Sequence, residues 1–122
     1  MPLSFSVALL STETGDWRLC LRSLQAALDT ARRRGQCCRA LLLSNTGNPT
    51  GHALSANEIT QALRFCGANG LGVVADEVFQ ICGSTAVPPI TVRSILHQCP
   101  EPLRSTVQLF SVTSVADGLF RA

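Results

Sequence analysis

Three groups of polar side chains follow short apolar runs in this sequence, at places where they could share one ligand. Asn48 lies in a turn rich in glycine and proline and offers an amide that can donate or accept a hydrogen bond. Asp76 follows an apolar run, and an acid in a buried position is costly unless a cation pairs with it. Ser111, Ser114 and Arg121 offer two hydroxyls and a guanidinium that could hold a phosphate.

Each group also has a plainer structural interpretation. The turn around Asn48 could be an ordinary connection from a strand to a helix, because Asn-Pro is a common turn opener. Asp76 could bond its own backbone and cap the turn that follows it. Glu77 is expected to face solvent or an arginine. A serine-rich strand end is common, so the three groups indicate a site more specifically together than singly.

The elements that must position these residues alternate between strand and helix. Apolar runs predict strands over residues 4–10, 40–43, 71–75 and 107–112. Helical spacing of apolar residues predicts helices over 21–31 and 55–66 and a short one over 92–96, with a capping box at the start of the second and a glycine cap after the first. The pattern predicts an α/β fold with a mainly parallel sheet and flanking helices. Ligands bind at the carboxyl ends of such strands, so we expect Asn48, Asp76 and Ser111 at one edge.

Length and composition fit one domain over residues 1–122 with a core of its own. Hydrophobic residues make up 46% of the 122 and charged residues 15%, which is typical of a globular chain. A net charge of +2 is too small and too scattered to favour nucleic acid, and the run 32–34 is interpreted as the basic end of a helix. No apolar run is long enough to cross a membrane and no secretory signal is visible, so a cytoplasmic location is expected.

The six cysteines do not predict a metal site. No pair has the C-x-x-C spacing of a zinc or redox site, and only two histidines could assist. Free thiols in a reducing compartment are the simpler expectation. Cys66, on the apolar face of a predicted helix, is interpreted as a small core hydrophobe.

Three motifs together resemble a known family. The letters SNTGNPTG at 44–51, ADEVFQ at 75–80 and FSVTS at 110–114 are similar to segments of fold-type-I aminotransferases of class I/II, which depend on pyridoxal phosphate (PLP). The alanine aminotransferase branch is the most similar, and the stretch 17–19 also fits its pattern. The resemblance covers residues 6–114 and only part of the large, PLP-binding domain of that family.

The resemblance implies a role for each matching residue. Asn48 would contact the oxygen on the PLP ring and Asp76 the ring nitrogen, where an acid makes PLP a better electron sink. Phe79 stands where the family has a tyrosine that bonds the ring oxygen, and phenylalanine lacks the hydroxyl for that bond.

The same resemblance implies a phosphate site and exposes a missing group. Ser111, Ser114 and Arg121 match the phosphate-binding region, although Arg121 follows at a shorter spacing than in the family. Val115 falls where the family has the lysine that holds PLP as a Schiff base, and none of the 122 residues is a lysine. Arginine cannot replace it, because its guanidinium stays protonated. No catalytic residue is therefore assigned, and PLP binding is expected to be weak or lost.

Three functions are weighed on these grounds. The first is the PLP-binding core of a transaminase, present here as a fragment of a larger protein. Its substrates would be an amino acid and a 2-oxo acid, and it could dimerise. This chain alone is expected to be inactive. The second is a non-catalytic interaction or cofactor-binding module that pairs with a full-length subunit. The third, a nucleotide-binding α/β domain, ranks last because neither G-x-G-x-x-G nor G-x-x-x-x-G-K-[ST] occurs.

Overall fold

The structure is a computed structural model that describes residues 18–47, 51–78 and 90–113. Helices and strands alternate along most of these residues, as the apolar runs predict. In chain order the elements are α1 (Leu21–Arg33), β1 (Ala40–Ser44), α2 (Ala56–Asn69), β2 (Gly72–Asp76), α3 (Val92–Gln98), α4 (Leu103–Thr106) and β3 (Leu109–Val112).

The described strands form one parallel sheet in the order β1-β2-β3. This confirms the α/β fold with a mainly parallel sheet. The predicted strand over 4–10 lies outside the described residues. The predicted strand over 107–112 is wrong at its start, because the helical turn α4 ends at Thr106 and β3 begins only at Leu109. Val107 is buried all the same and contributes to the core as a connecting residue.

One face of the sheet is covered by helices and holds the core. Ile59, Leu63 and Cys66 on the inner face of α2 have no exposed surface, and they belong to the same buried cluster as Val73 and Ala75 of β2. Side chains alternate between the two faces along a strand. The residues of the opposite face are therefore Leu42, Val74, Phe110 and Val112, and three of these are about half exposed or more.

Local sequence signals mark the start of α2 and the C-terminal ends of α1 and α2. Ser55 caps α2 in a complete capping box: its side chain accepts from the backbone N–H of Glu58, and the Glu58 carboxylate accepts from the backbone N–H of Ser55. Gly35 after α1 and Gly70 after α2 have φ of 70° and 66°, a left-handed conformation that glycine adopts at little cost. The run of arginines at 32–34 ends α1, as predicted.

Glu58 also ties the segment before α1 to the start of α2. Its Oε1 accepts from the backbone N–H of Leu19 at 3.0 Å, and its Oε2 accepts from the backbone N–H and the hydroxyl of Ser55 at 2.9 and 2.8 Å. Burial pushes the pKa of Glu58 up, but the hydrogen bonds from Ser55 and Leu19 outweigh it and hold the pKa below the ordinary value of 4.5. The stability that Glu58 contributes is thus present above that value and is lost as the pH falls through the lowered pKa.

We expect Glu58→Gln to reduce the free energy of unfolding by about 1 kcal/mol at pH 7, because glutamine has one acceptor oxygen and the carboxylate uses both of its own, for Leu19 and for Ser55. The variant should also lose less stability than wild type as the pH falls below 4.5, because the group that titrates is gone. Urea unfolding at a series of pH values measures both effects. Glu101→Gln is the control: hydrogen bonds from Ser105 and Arg104 also hold the pKa of Glu101 below its ordinary value, but this carboxylate is exposed and solvent screens its ion pair. Its removal should therefore change the pH dependence of stability less than Glu58→Gln does. If the stability of Glu58→Gln falls below pH 4.5 as steeply as that of wild type, the prediction is contradicted.

Candidate functional site

The three strands end together at one edge of the sheet. Ser44 of β1, Asp76 of β2 and Val112 of β3 lie in register. The backbone ladder continues one residue further, since the N–H of Asn45 donates to the carbonyl of Asp76 and the N–H of Glu77 donates to the carbonyl of Val112, both at 2.9 Å. These three strands therefore end at one edge of the sheet, as predicted.

Asp76 lies at the centre of this edge and is half-buried. Its Oδ1 accepts a hydrogen bond from the backbone N–H of Val78 at 3.2 Å. The turn-capping interpretation of Asp76 is thus part of its role. A carboxylate has two oxygens and about four acceptor positions, so one long bond to Val78 leaves it able to accept from a ligand.

Ser111 lies at the same edge but on the other face of the sheet. It pairs with Ala75, whereas Asp76 pairs with Val112. Because side chains alternate along a strand, Ser111 points to the helix-covered face and Asp76 to the open face. The Ser111 Oγ is buried and has no hydrogen-bond partner within the described part of the chain. Its proposed contact with a phosphate stays a prediction.

The other predicted site residues, Asn48, Phe79, Ser114 and Arg121, lie outside the described residues, and so does Val115 at the expected lysine position. Their roles stay predictions.

The turn that carries Asn48 is described on both sides. The N–H of Gly47 donates to the carbonyl of His52 at 2.9 Å, and the N–H of Gly51 donates to the carbonyl of Gly47 at 2.8 Å. Gly51 has a φ of 66°. The chain therefore folds back on itself directly after β1, so that the turn begins and ends close to the sheet edge.

Two buried polar residues at this edge were missed or misjudged from the sequence. Asn45 is 2% exposed and was given no role of its own. Glu77 is 3% exposed, so the expectation that it faces solvent is wrong: its Oε1 accepts from the backbone N–H of Val92 at 2.7 Å. The alternative, that it faces an arginine, stays a prediction. Burial suits Glu77 because the first turn of α3 supplies a donor. The only sequence signal for either residue was its position directly after a strand.

No group of histidine, cysteine, aspartate or glutamate in the described ranges is arranged to hold a metal ion. Five cysteines fall in those ranges, and all five are free thiols. Cys66 is buried in the core as predicted, and burial raises its pKa to about 12. Among the described helices none is both long and apolar enough to span a membrane.

The residues at the carboxyl edge of the sheet fit PLP in part. Asp76 supplies a half-buried carboxylate of the kind that suits a protonated ring nitrogen. No side chain of the sequence is the amine that would hold the cofactor covalently. These residues therefore suit non-covalent binding, and the chain has no lysine with which to anchor PLP.

Comparison with known proteins agrees with the motifs and the sheet. "Glutamate--glyoxylate aminotransferase 2" of Arabidopsis thaliana is 35% identical over 107 residues, which cover 87% of this chain and 22% of that protein. "Alanine aminotransferase 1, mitochondrial" of the same plant is 41% identical over 68 residues, which cover 56% of this chain and 12% of that protein. The chain thus spans less than a quarter of the length of either relative.

The fold has a counterpart among solved structures. The PLP-bound crystal structure of a protein from Clostridium difficile 630, assigned as an aminotransferase, superposes with a TM-score of 0.58 at 15% identity, over 86% of this chain and 23% of that one. At this identity the likeness shows the fold alone. The profile of the family "Aminotransferase class I and II" matches residues 5–116. With that match over nearly its whole length, the chain belongs to the class I and II aminotransferase family.

Proposed function

We propose that this chain is the cofactor-binding core of a transaminase, which binds PLP weakly and without a covalent bond and does not transaminate by itself. The observation that carries the proposal is the place of Asp76: a half-buried carboxylate at the carboxyl end of the central strand of a parallel sheet, in a chain of the aminotransferase family. Ligands of open parallel sheets bind at such strand ends.

The residues are assigned as the resemblance implies. Asp76 pairs with the ring nitrogen and Asn48 contacts the ring oxygen. Phe79 lies against the ring without the hydrogen bond that a tyrosine would make. Ser111, Ser114 and Arg121 are proposed to contact the phosphate, Ser111 through its backbone or after a change of its side-chain rotamer.

The substrates of the parent activity are an amino acid and a 2-oxo acid. Relatives of both the alanine and the glutamate–glyoxylate type match the chain. The proposal therefore covers the substrates of both the alanine type and the glutamate–glyoxylate type, and not alanine alone. A cytoplasmic location is part of the proposal, because free cysteines persist in a reducing compartment.

A second candidate function is a non-catalytic module that pairs with a full-length subunit of the same family. The exposed apolar face of the sheet favours it, since parallel sheets are normally covered on both faces. Co-expression with a full-length relative and co-purification at a fixed ratio distinguishes this function from that of a solitary PLP-binding chain.

The direct test of the site is PLP affinity in Asp76→Asn. Asparagine keeps an Oδ1 that can accept from Val78 but loses the negative charge. A hydrogen bond to a charged group contributes about 1.5–3 kcal/mol, so we expect the dissociation constant for PLP to rise roughly tenfold or more. PLP fluorescence or equilibrium dialysis measures it.

Two controls show whether a loss of affinity arises at the ring nitrogen. The PLP analogue with carbon in place of that nitrogen should bind wild type and Asp76→Asn equally. Asp29→Asn makes the same charge change on α1 and should leave PLP binding unaltered. Equal affinity of wild type and Asp76→Asn for PLP would refute the assignment of Asp76.

A further inference from the structure

Asp76 lies between two backbone anchors at the carboxyl edge of the sheet. Its own carbonyl accepts from the backbone N–H of Asn45, directly after β1, at 2.9 Å. The next residue, Glu77, donates its backbone N–H to the carbonyl of Val112 of β3, also at 2.9 Å. The main chain around Asp76 is therefore bonded to both neighbouring strands, but neither bond acts on the Asp76 side chain.

The carboxylate of Asp76 has one hydrogen bond within the described ranges, and that bond is long. The backbone N–H of Val78 donates to its Oδ1 at 3.2 Å, whereas such bonds are most often about 2.9–3.0 Å. This N–H belongs to the peptide unit that joins Glu77 to Val78, so its direction depends on the backbone rotation of Glu77. Whatever fixes Glu77 therefore also fixes the donor that orients Asp76.

The side chain of Glu77 supplies such a restraint. It is 3% exposed, and its Oε1 accepts from the backbone N–H of Val92, the first residue of α3, at 2.7 Å. Because its own N–H is bonded to Val112, Glu77 is anchored through both its backbone and its side chain. A rotation of Glu77 would leave the N–H of Val92 buried without this acceptor, which is costly.

The start of α3 is itself tied to the sheet. Asn45 is 2% exposed, its Nδ2 donates to the carbonyl of Ile90 at 2.9 Å, and its Oδ1 accepts from the backbone N–H of Leu54 at 3.0 Å. Ile90 stands two residues before Val92. Glu77 thus bonds a segment that the end of β1 also holds, so the anchor on α3 is fixed relative to Asp76.

We propose that Glu77 is a positioning residue that acts through Asp76. By anchoring the backbone after β2 on α3, it keeps the Val78 N–H directed at one oxygen of Asp76 and leaves the other oxygen for a ligand. This rests on the proposed function, in which Asp76 pairs with the PLP ring nitrogen. Ordering one side chain on binding weakens affinity roughly two- to tenfold, and a carboxylate that is ordered beforehand avoids that loss.

The test compares three variants by equilibrium dialysis with PLP and with the PLP analogue that has carbon in place of the ring nitrogen. Glu77→Ala removes the acceptor for Val92. Glu77→Gln keeps an oxygen that can accept the same bond. Thr91→Ala is the matched control, because it removes the side-chain cap of α3, an acceptor for the N–H of Ser94 at 3.0 Å, and leaves Glu77 intact.

We expect Glu77→Ala to weaken PLP binding about fivefold, and Glu77→Gln and Thr91→Ala to stay within about twofold of wild type. Binding of the analogue should change less than about twofold in each variant, because its ring has no nitrogen for Asp76 to pair with. In the Asp76→Asn background, Glu77→Ala should have almost no further effect on PLP binding, since the group through which it acts is gone. A merely structural role would weaken both ligands alike, in either background.

Hydrogen exchange tests the same geometry without a ligand. The N–H of Val78 should exchange at least about tenfold faster in Glu77→Ala than in wild type, and near the wild-type rate in Glu77→Gln and Thr91→Ala. The N–H of Val73, in the core, reports any change in global stability, against which the change at Val78 is measured.

Each outcome decides the proposal. Unchanged PLP binding in Glu77→Ala, equal weakening of PLP and its analogue, or full weakening in the Asp76→Asn background overturns it. If wild type binds no PLP, the proposed cofactor site fails, and the exchange of Val78 alone confirms or refutes the positioning of Asp76 by Glu77. If Glu77→Ala does not fold, wild type decides: the N–H groups of Val78 and Val92 must exchange at least about tenfold more slowly than in the unfolded chain, and faster exchange refutes the proposal.

Discussion

We expect the wild-type chain, mixed with PLP and reduced with borohydride, to carry no PLP label on any side chain and to transfer no amino group from alanine to 2-oxoglutarate. The physical reason is the lack of lysine in all 122 residues, because an imine needs a neutral amine and every cationic side chain here is a guanidinium or an imidazole. General acid–base transfer by a positioned group is typically worth about 10²–10⁴ in rate, and the lysine that supplies it in the family is missing. Peptide mass mapping after reduction measures the label, with the α-amino group at Met1 scored separately. A labelled side chain or sustained turnover would refute this prediction.

A lysine placed in the segment after β3 should restore the label. The resemblance puts Val115 at the lysine position, and Ala116→Lys and Asp117→Lys test the two neighbouring positions beside Val115→Lys. We expect a reducible adduct on the introduced lysine in one of the three variants and no restored turnover, because Phe79 lacks the hydroxyl of the family's tyrosine. Arg104→Lys on the exposed turn α4 is the control for non-specific labelling. Equal labelling of all four variants would show that no position is favoured by a bound cofactor.

We expect the chain to associate with itself as its concentration rises, because the open face of the sheet is apolar. Leu42 and Phe110 are 59% and 64% exposed, and each pairs with Val74 of the central strand, so the three form a row across the sheet. Val112 of β3 lies beside this row. Fully burying a leucine or phenylalanine side chain is worth about 1.5–3 kcal/mol, and more than half of each is still exposed. Replacing both by threonine, which suits strands, should therefore remove about 2 kcal/mol of association free energy, or roughly thirtyfold in the dissociation constant.

Sedimentation velocity over a range of concentrations measures this association. Ile90→Thr is the control, since Ile90 is 45% exposed but lies outside the sheet, and only its backbone carbonyl is needed by Asn45. Wild type that remains a clean monomer at high concentration, with a sharp reversible unfolding transition, would contradict the prediction.

The parts of the fold that depend on neighbours in the sequence were predictable. Ser55 and Glu58 are three residues apart, so the capping box follows from residue types alone. Gly35 and Gly70 adopt positive φ where a helix must end. The parallel sheet follows from alternating apolar runs and helices, because that alternation has few other packed arrangements.

The polar residues at the sheet edge were less predictable, because their partners are distant in the sequence. Asn45 bonds Ile90, 45 residues away, and Glu77 bonds Val92, 15 residues away. Nothing in the residues next to them signals these bonds. Ser111 shows the complementary problem: its position at the edge was foreseeable, but the face it points to depends on strand register, which a shift of one residue reverses.

The strand order also bears on how the protein acquires its structure during synthesis. Each described strand pairs with the next one along the chain, so the contacts among β1, α2 and β2 need no residue of β3. Sequential pairing keeps loop closures short, and short closures cost less chain entropy and occur sooner. We therefore expect the segment 40–76 to fold first on the ribosome, and β3 to dock on an edge of β2 that is already in place.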